Sequence, residues 1–340
     1  MKCRTPRGQL VSDDQTPAPV MNTLSEVMHD LRDRLVARLE RDGYEVPGEA
    51  RTDVDCALMA VLRVAHRTIP ARPRKVHWSG ELKNKLPGMD PNIQAAVHAV
   101  AAELETGVDV NQRQTRQHYR AGYNDRLRND LHVQHLHLGP RDQHRDKTKR
   151  HLMAGGGSDL LWIIATPEDV YLIEVLDHHA FGTFDFPQVI HRNWKHLLGD
   201  PVPGWTVDEE DALSAGERAT ARSAGATTAV AINGEMFFPG GIMADGTSSR
   251  VLSASDRILN AVVDMHRSLE ANAETVLDRL AEVTGTRPPA LDLKVGDLDA
   301  LLNGGILLAE GNTGGVFVQG HEQILFRCWK PHSHGSQLSG

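Results

Sequence analysis

The chain has 340 residues, 40% hydrophobic and 24% charged, with a formal net charge of −8; this is a globular composition, long enough for two or three packed units around at least one sizeable core. The acidic balance argues against a protein that coats nucleic acid indiscriminately, because affinity for a phosphate backbone follows a local excess of Lys and Arg. No run approaches the roughly 18–20 uninterrupted apolar residues of a membrane helix, so no membrane partner is expected, and the distant Cys3, Cys56 and Cys328 argue against a disulfide framework or cysteine zinc site, leaving a reducing cytoplasm as the expected location.

Residues 1–20 have no apolar signal-peptide core and read as a polar, disordered tail, with Met21 as an alternative start. A helical region is expected over 21–110. Thr23 and Glu26 spell a capping box ahead of Leu24, Val27, Met28, Leu31, Leu35 and Leu39, and Gly43 stops that helix. A second helix over 53–66 places Val54, Leu58, Val61, Leu62 and Ala65 on one stripe, and Pro91 opens a third through Ile93, Val97, Val100, Ala101 and Leu104 to Gly107. His66 and His98, inside these helices, read as packing or surface residues.

Residues 111–130 are polar and Arg-rich, in keeping with a solvated helix or a loop. The pattern then changes to alternation over 133–138, with two apolar runs, 160–165 and 170–176, joined by Thr166-Pro167-Glu168-Asp169. That order predicts a small antiparallel sheet within 111–200. Asp185 caps and Pro187 opens a further helix with Val189, Ile190, Trp194, Leu197 and Leu198 inward, and the Pro/Gly-containing, polar residues 201–225 read as a linker. In the C-terminal region, 226–340, a strand over 227–232, the turn Asn233-Gly234 and a returning strand over 236–238 precede the longest helical pattern, 253–284, and two short strands at 306–309 and 316–318. Gly311-Asn312-Thr313-Gly314-Gly315 reads as the turn between those strands, not a phosphate cradle, since no helix follows it. The fold class is therefore α+β: helices first, a histidine-bearing antiparallel sheet in the middle, and a C-terminal α+β region with one long helix.

Chemistry is expected where the histidines gather. Ten of the 18 lie between His118 and His196, and imidazole can serve as acid, base, cation or metal ligand near neutral pH. Strand parity puts His135 and His137 on one face and Leu136 and Leu138 on the other, with His132 out of step. At most one of His178 and His179 can join that pair if the later strand continues, and Glu174 shares parity with His178 as a carboxylate to orient it. Residues 111–151 carry ten Lys or Arg against four Asp, a local +6 that leaves −14 for the rest. The basic window flanks the histidines and makes a phosphate-bearing substrate attractive, although a solvated loop accounts for it equally well.

Three uses of these residues follow. Cleavage of RNA without metal needs a base for the 2′-hydroxyl, an acid for the leaving oxygen and a cation for the phosphate; His135, His137 and His178 or His179 fill the first roles, and Arg192 with Arg141 or Lys147 the last. A metal-dependent hydrolase or nuclease would use His132, His135, His137, Asp159 and Asp177 as ligands of Zn or Mn, although no motif such as H-E-x-x-H is present. A non-catalytic interaction or regulatory protein would bury the histidines with Asn129 and Asp130 in a hydrogen-bonded network. Trp194 and Phe181 read as core residues, and His144 and His151 as solvated.

His135-Leu136-His137, the strand opening Asp159-Leu160-Leu161-Trp162, and the run from Val170 to His179 together resemble the catalytic half of RelE/HigB-like ribonuclease toxins. The resemblance, over 129–179, implies a helical part followed by a small antiparallel sheet whose side chains cut RNA without a cofactor. It also implies a toxin or phage-defence role with a neutralising protein partner. The run from Asn129 to Gly139 is similar to one in uncharacterised bacterial proteins of mobile-element type, a likeness that implies no activity.

Overall fold

The capping box at Thr23 forms as its spacing requires: the Thr23 N–H donates to Glu26 Oε2 (2.7 Å) and the Glu26 N–H to Thr23 Oγ1 (3.3 Å). Helix α1 (Leu24–Arg41) follows, and Val27, Leu31, Leu35 and Leu39 are buried along its stripe. Helix α2 (Val54–Arg67) is capped by Asp53, whose carboxylate accepts the Cys56 N–H. The computed structural model describes residues 20–140, 144–145, 152–153, 158–303, 305, 307–312, 315–319 and 324–328.

The segment between α2 and the third expected helix holds a strand, β1 (Lys75–Trp78), and a short helix, α3 (Gly80–Lys85). The 21–110 region is therefore not purely helical. Four residues between Pro73 and Ser79 are too few to show a period of two against a helical background. Helix α4 (Pro91–Thr106) then ends at Gly107 with φ +80°, where a Cβ would stand 2.5 Å from the Arg72 carbonyl carbon and the Pro73 nitrogen, so only glycine fits.

Helix α5 (Arg126–Leu131) leads into β2 (Gln134–His137), and the short strands β3 (His144–Arg145) and β4 (Leu152–Met153) pair with each other. The two apolar runs become β5 (Leu160–Ala165) and β6 (Asp169–Leu176). The main sheet has the order β1-β6-β5-β2; β2–β5 and β5–β6 are antiparallel as expected, but β1 runs parallel to β6, so the sheet is mixed.

Both faces of this sheet are covered. Leu136, Leu161, Ile163, Val170, Leu172 and Val175 pack with Leu82 of α3 and Val97, Val100, Ala101 and Leu104 of α4. On the other side Val133, Leu160, Trp162, Ile164, Tyr171 and Ile173 pack with α5 and with Phe186, Val189 and Ile190 of α7 (Phe186–Trp194), which follows the one-turn helix α6 (Ala180–Thr183).

Residues 201–225, read as a linker, carry helix α8 (Ala215–Ser223), opened by a capping box between Ser214 and Glu217. Its Arg218 pairs with Asp185 (2.8 Å) and its Arg222 with Asp130 (2.8 Å). The hairpin β7 (Val230–Ile232) and β8 (Glu235–Phe237) turns through Asn233 (φ +52°) and Gly234 (φ +76°), the two left-handed residues that Asn-Gly supplies. The long helical pattern is two helices, α9 (Ser249–Ala271) and α10 (Ala273–Thr284), because Asn272 leaves the helical region at φ −122°, ψ +18°.

By compactness the chain divides into Leu31–Asn260 and a smaller unit, Met1–Asp30 with Ala261–Gly340; the divisions fall inside α1 and α9, and 201–225 lies within the larger unit. In the smaller unit β9 (Leu293–Val295), helix α11 (Leu298–Leu302), β10 (Leu307–Glu310), β11 (Gly315–Gln319) and β12 (Ile324–Cys328) build an antiparallel sheet of order β12-β11-β10-β9. Asn22 pins the start of the chain to it, donating to the Leu293 carbonyl (2.8 Å) and accepting the Leu293 N–H (2.9 Å).

The Arg222–Asp130 pair is nearly dry, its side chains 9% and 4% exposed. Burial pushes the Asp130 carboxyl up, against the opposing pull of Arg222. Arg222→Ala, which strands that carboxylate, is expected to lower stability by about 3–5 kcal/mol. Adding Asp130→Asn in the same background should recover part of the loss. A urea midpoint unchanged in the single variant would contradict this.

Candidate functional site

Strand β2 supplies the first two side chains. His135 stands opposite Trp162 and His137 opposite Leu160, so both project onto the face that holds Val133, Trp162 and Phe186. The expected shared face is present, but it is part of a packed interior and not an open surface. The third side chain comes from the turn after β6. There the Asp177 carboxylate accepts the His179 N–H (2.8 Å), and the chain turns into α6.

The imidazoles of His135, His137 and His178 form a triangle, with ring centroids 5.6 Å (135–137), 5.9 Å (135–178) and 5.8 Å (137–178) apart. Phe181 of α6 closes one side, edge-on to His135 (5.3 Å) and to Trp162 (4.7 Å) and parallel to His178 (6.4 Å, 9° between planes). Exposure is graded across the group: His135 is 6% exposed, His137 is half-buried, and His178 and Phe181 meet solvent.

Burial dominates the protonation of the inner pair. Desolvation, helped by the charges of His137 and His178, holds His135 down to about 3. Desolvation, then the charges of His178 and Arg116, lowers His137. His135 is therefore neutral at physiological pH, and the low dielectric around His137 favours its neutral form. No hydrogen bond to a described residue engages any of the three rings. His135 Nε2, His137 Nδ1 and the indole Nε1 of Trp162 are buried without a partner, although His135 packs 5.2 Å from Trp162. Each such atom costs about 1–3 kcal/mol while unsatisfied, and three together approach the ~5–15 kcal/mol net stability of a typical domain. The hydrogen-bonded structural network expected on the non-catalytic reading is thus not what these residues make.

Arg116 brings the cation. It opens a one-turn 3-10 helix (Arg116–Tyr119) begun by the Thr115 side chain, and it lies close enough to His137 to lower its proton affinity. Its guanidinium is exposed, and no ion pair or hydrogen bond ties it to another described residue. Sequence reasoning placed Arg116 in the basic window but gave no reason to single it out; a lone residue in a 3-10 turn has no periodicity to betray it.

The remaining expected site residues lie elsewhere or are engaged. His179 is exposed at the start of α6, outside the triangle. His132 adopts φ +59° at the end of α5, its ring bonded to the Pro239 carbonyl (2.8 Å) and burial holding it down to about 4. Glu174 does not orient His178: its carboxylate takes the Val175 N–H (2.8 Å) and faces Lys85 (3.5 Å). Arg192 is held by Glu81 (2.8 Å) and Asp159 by the Ser158 hydroxyl (3.2 Å). Arg141, Lys147 and His151 lie outside the described residues, as does the side chain of His144. Asn129 and Asp130 serve other contacts, with the Gly246 carbonyl and Arg222. Trp194 packs half-buried against Tyr171 (5.0 Å), whereas Phe181, expected in the core, is 37% exposed. Among the described residues no group of three or more His, Cys, Asp or Glu is already disposed to hold a metal ion.

The buried histidines make stability pH-dependent with a definite sign. In the unfolded chain they titrate near 6.5, whereas in the fold His66 and His135 stay neutral to about 3 and His132 to about 4. Between those values the unfolded state binds more protons, so stability is complete above about pH 6.5 and falls as pH drops toward 3, by up to about 1.4 kcal/mol per pH unit for each group. Urea midpoints measured from pH 7 to 4.5 should therefore decline, and decline less steeply in His135→Asn; equal slopes for the two proteins would exclude a depressed His135. No protein-family model, curated protein or solved structure matches the chain, so the reading of this site rests on its own geometry.

Proposed function

We propose that the chain is a metal-independent phosphodiesterase that cuts RNA at the His135–His137–His178 triangle. The observation that carries this reading is the convergence of three imidazoles 5.6–5.9 Å apart, with an exposed arginine whose charge reaches His137. The roles follow from the gradient of burial. His137, biased toward its neutral form, accepts the proton of the 2′-hydroxyl as that oxygen attacks the adjacent phosphorus. His178, open to water, gives a proton to the departing 5′-oxygen, leaving a 2′,3′-cyclic phosphate and a free 5′-hydroxyl. Arg116 balances the charge that builds on the phosphoryl oxygens. His135 is too poor a base to take part in proton transfer; it packs between His137, His178 and Trp162 and holds their separation.

A second reading takes the neutral, unpartnered His135 Nε2 and His137 Nδ1 as ligands for Zn or Mn in a metal-dependent hydrolase or nuclease. Unchecked cleavage of RNA in a cytoplasm is toxic. The first reading therefore carries with it a toxin or phage-defence role and a neutralising protein partner.

Cleavage of a single-stranded oligoribonucleotide in excess EDTA tests the proposal. His137→Ala and His178→Ala should each lower kcat by roughly 10²-fold or more, the usual weight of one acid or base, with thermal melts showing the fold retained. Activity lost in EDTA and restored by Zn or Mn would transfer the site to the metal reading, and absence of turnover would end both. The acid limb of kcat/KM should fall below the ordinary imidazole value of about 6.5, because the base is His137, whose proton affinity is lowered. A limb at or above that value would assign the base elsewhere.

A further inference from the structure

We infer that the triangle binds a tetrahedral oxyanion of the phosphate class and that the indole N–H of Trp162 is one of its donors. This deepens the proposed function by naming the group recognised, and rests on it only for the choice of phosphate among oxyanions.

Three observations converge. The unpartnered nitrogens of His135, His137 and Trp162 belong to neighbouring side chains, with His135 against both of the others, and two of those side chains are more than nine-tenths buried, His135 at 6% and Trp162 at 0% exposed. An indole nitrogen can only donate, and a neutral imidazole can donate from one nitrogen. The indole therefore calls for an acceptor oxygen, and each imidazole can meet the same group in the tautomer that protonates its free nitrogen. The second observation is the sign of the surroundings. Of the described carboxylates, Glu174, the β6 register partner of Trp162, faces Lys85 (3.5 Å), and Asp130 is paired with Arg222. The charge bearing on His137, apart from its fellow imidazole, is the exposed Arg116. The third is access. Phe181, 37% exposed on a one-turn helix beside the exposed His178, lies edge-on over Trp162 at 4.7 Å. Binding requires that ring to move aside so that a ligand arriving past His178 reaches the indole nitrogen. A tetrahedral anion matches this layout, with inner oxygens on the indole and imidazole donors and outer oxygens toward Arg116.

The full-length chain carries five tryptophans, so a ¹⁵N-labelled sample gives five indole N–H resonances to follow. Inorganic phosphate, titrated at pH 7 against matched chloride, should move one of them progressively to saturation, and that resonance should be the one missing in Trp162→Phe. Arg116→Ala should demand roughly tenfold more phosphate, the loss of about one charged contact. If Trp162→Phe does not fold, the resonance is identified as the one whose response both Arg116→Ala and His178→Ala weaken. A non-cleavable oligodeoxyribonucleotide that shifts the same resonance at lower concentration than phosphate assigns the site to a nucleic-acid backbone, and a weaker response assigns it to free phosphate. No phosphate-dependent indole shift, or one indifferent to Arg116→Ala, overturns the inference. RNA cleavage without an indole response removes the anion site alone, whereas an indole response without cleavage removes the ribonuclease reading and leaves the anion site standing.

Discussion

Everything at the candidate site depends on the pleat of one four-residue strand in a sheet covered on both sides. With β2 paired to β5 so that His135 faces Trp162, alternation sends His135 and His137 into the half of the core that also holds Phe186, and Leu136 into the half packed by α3 and α4. A slip of one residue would exchange the histidines with leucine, and two imidazoles would enter a wall of Leu and Val. The register therefore does more than place the histidines on one side. It removes them from water, and that removal makes the inner one neutral and leaves nitrogens without partners. Among the described residues, the exposed members of the group, His178 and Phe181, lie where the sheet ends.

The arginines show how little of the basic window is free to meet a substrate. Arg113 is bound by Glu103 and also donates to the carbonyls of His137 (3.2 Å) and Gly139 (3.0 Å), fixing the end of β2. Arg126 donates to the Arg222 and Ser223 carbonyls, and Arg128 to those of His132 and His66. Arg120 pairs with Glu45 at 3.4 Å. Arg67, at the end of α2, gathers the carbonyls of His118, Arg120 and Tyr123, so the polar stretch after α4 is folded around a buried guanidinium and is not a solvated loop. A charge excess that reads as a polyanion surface in sequence is, among the described residues, mostly internal bonding for irregular backbone. Among the described arginine side chains of that window, Arg116 is the one left exposed without an ion pair or hydrogen bond.

Elements with a long period were legible in the sequence. Helices α1, α2 and α4 appear within a residue or two of their caps, and the shared face of His135 and His137 followed from alternation alone. The short or contact-defined features were not. Strand β1 has four residues and takes its identity from β6, its parallel neighbour. Helix α8 sits in a polar stretch whose Arg218 and Arg222 look like surface residues until Asp185 and Asp130 are brought beside them. The break at Asn272 lies inside an unbroken apolar period. At the site itself, strand parity left His178 and His179 as alternatives because it assumed that the strand continued. The chain leaves the strand at Asp177 instead, and the turn chooses His178. Glu174 was matched to His178 by the same assumption and failed with it, since its carboxylate takes the Val175 N–H and faces Lys85.

Elsewhere the chain shows that it can satisfy a buried imidazole. His132 gives a ring nitrogen to the Pro239 carbonyl and His266 to that of Asn22, each at a hydrogen-bonding distance of 2.8–3.0 Å. A serine or asparagine beside His135 would have served the same end at little steric cost; the positions against it are instead Trp162 and Phe181. Aromatic walls raise the cost of protonating the imidazole and leave its free nitrogen no protein partner. They also give a guest of the right polarity a strong, directional welcome, because hydrogen bonds formed in a low-dielectric pocket are not diluted by competing water. Buried polar atoms without a hydrogen-bond partner also occur elsewhere, at His66 Nε2, Asn124 Oδ1 and Gln134 Oε1, but around His135 they adjoin two further imidazoles and an indole, and that gathering is where function is expected.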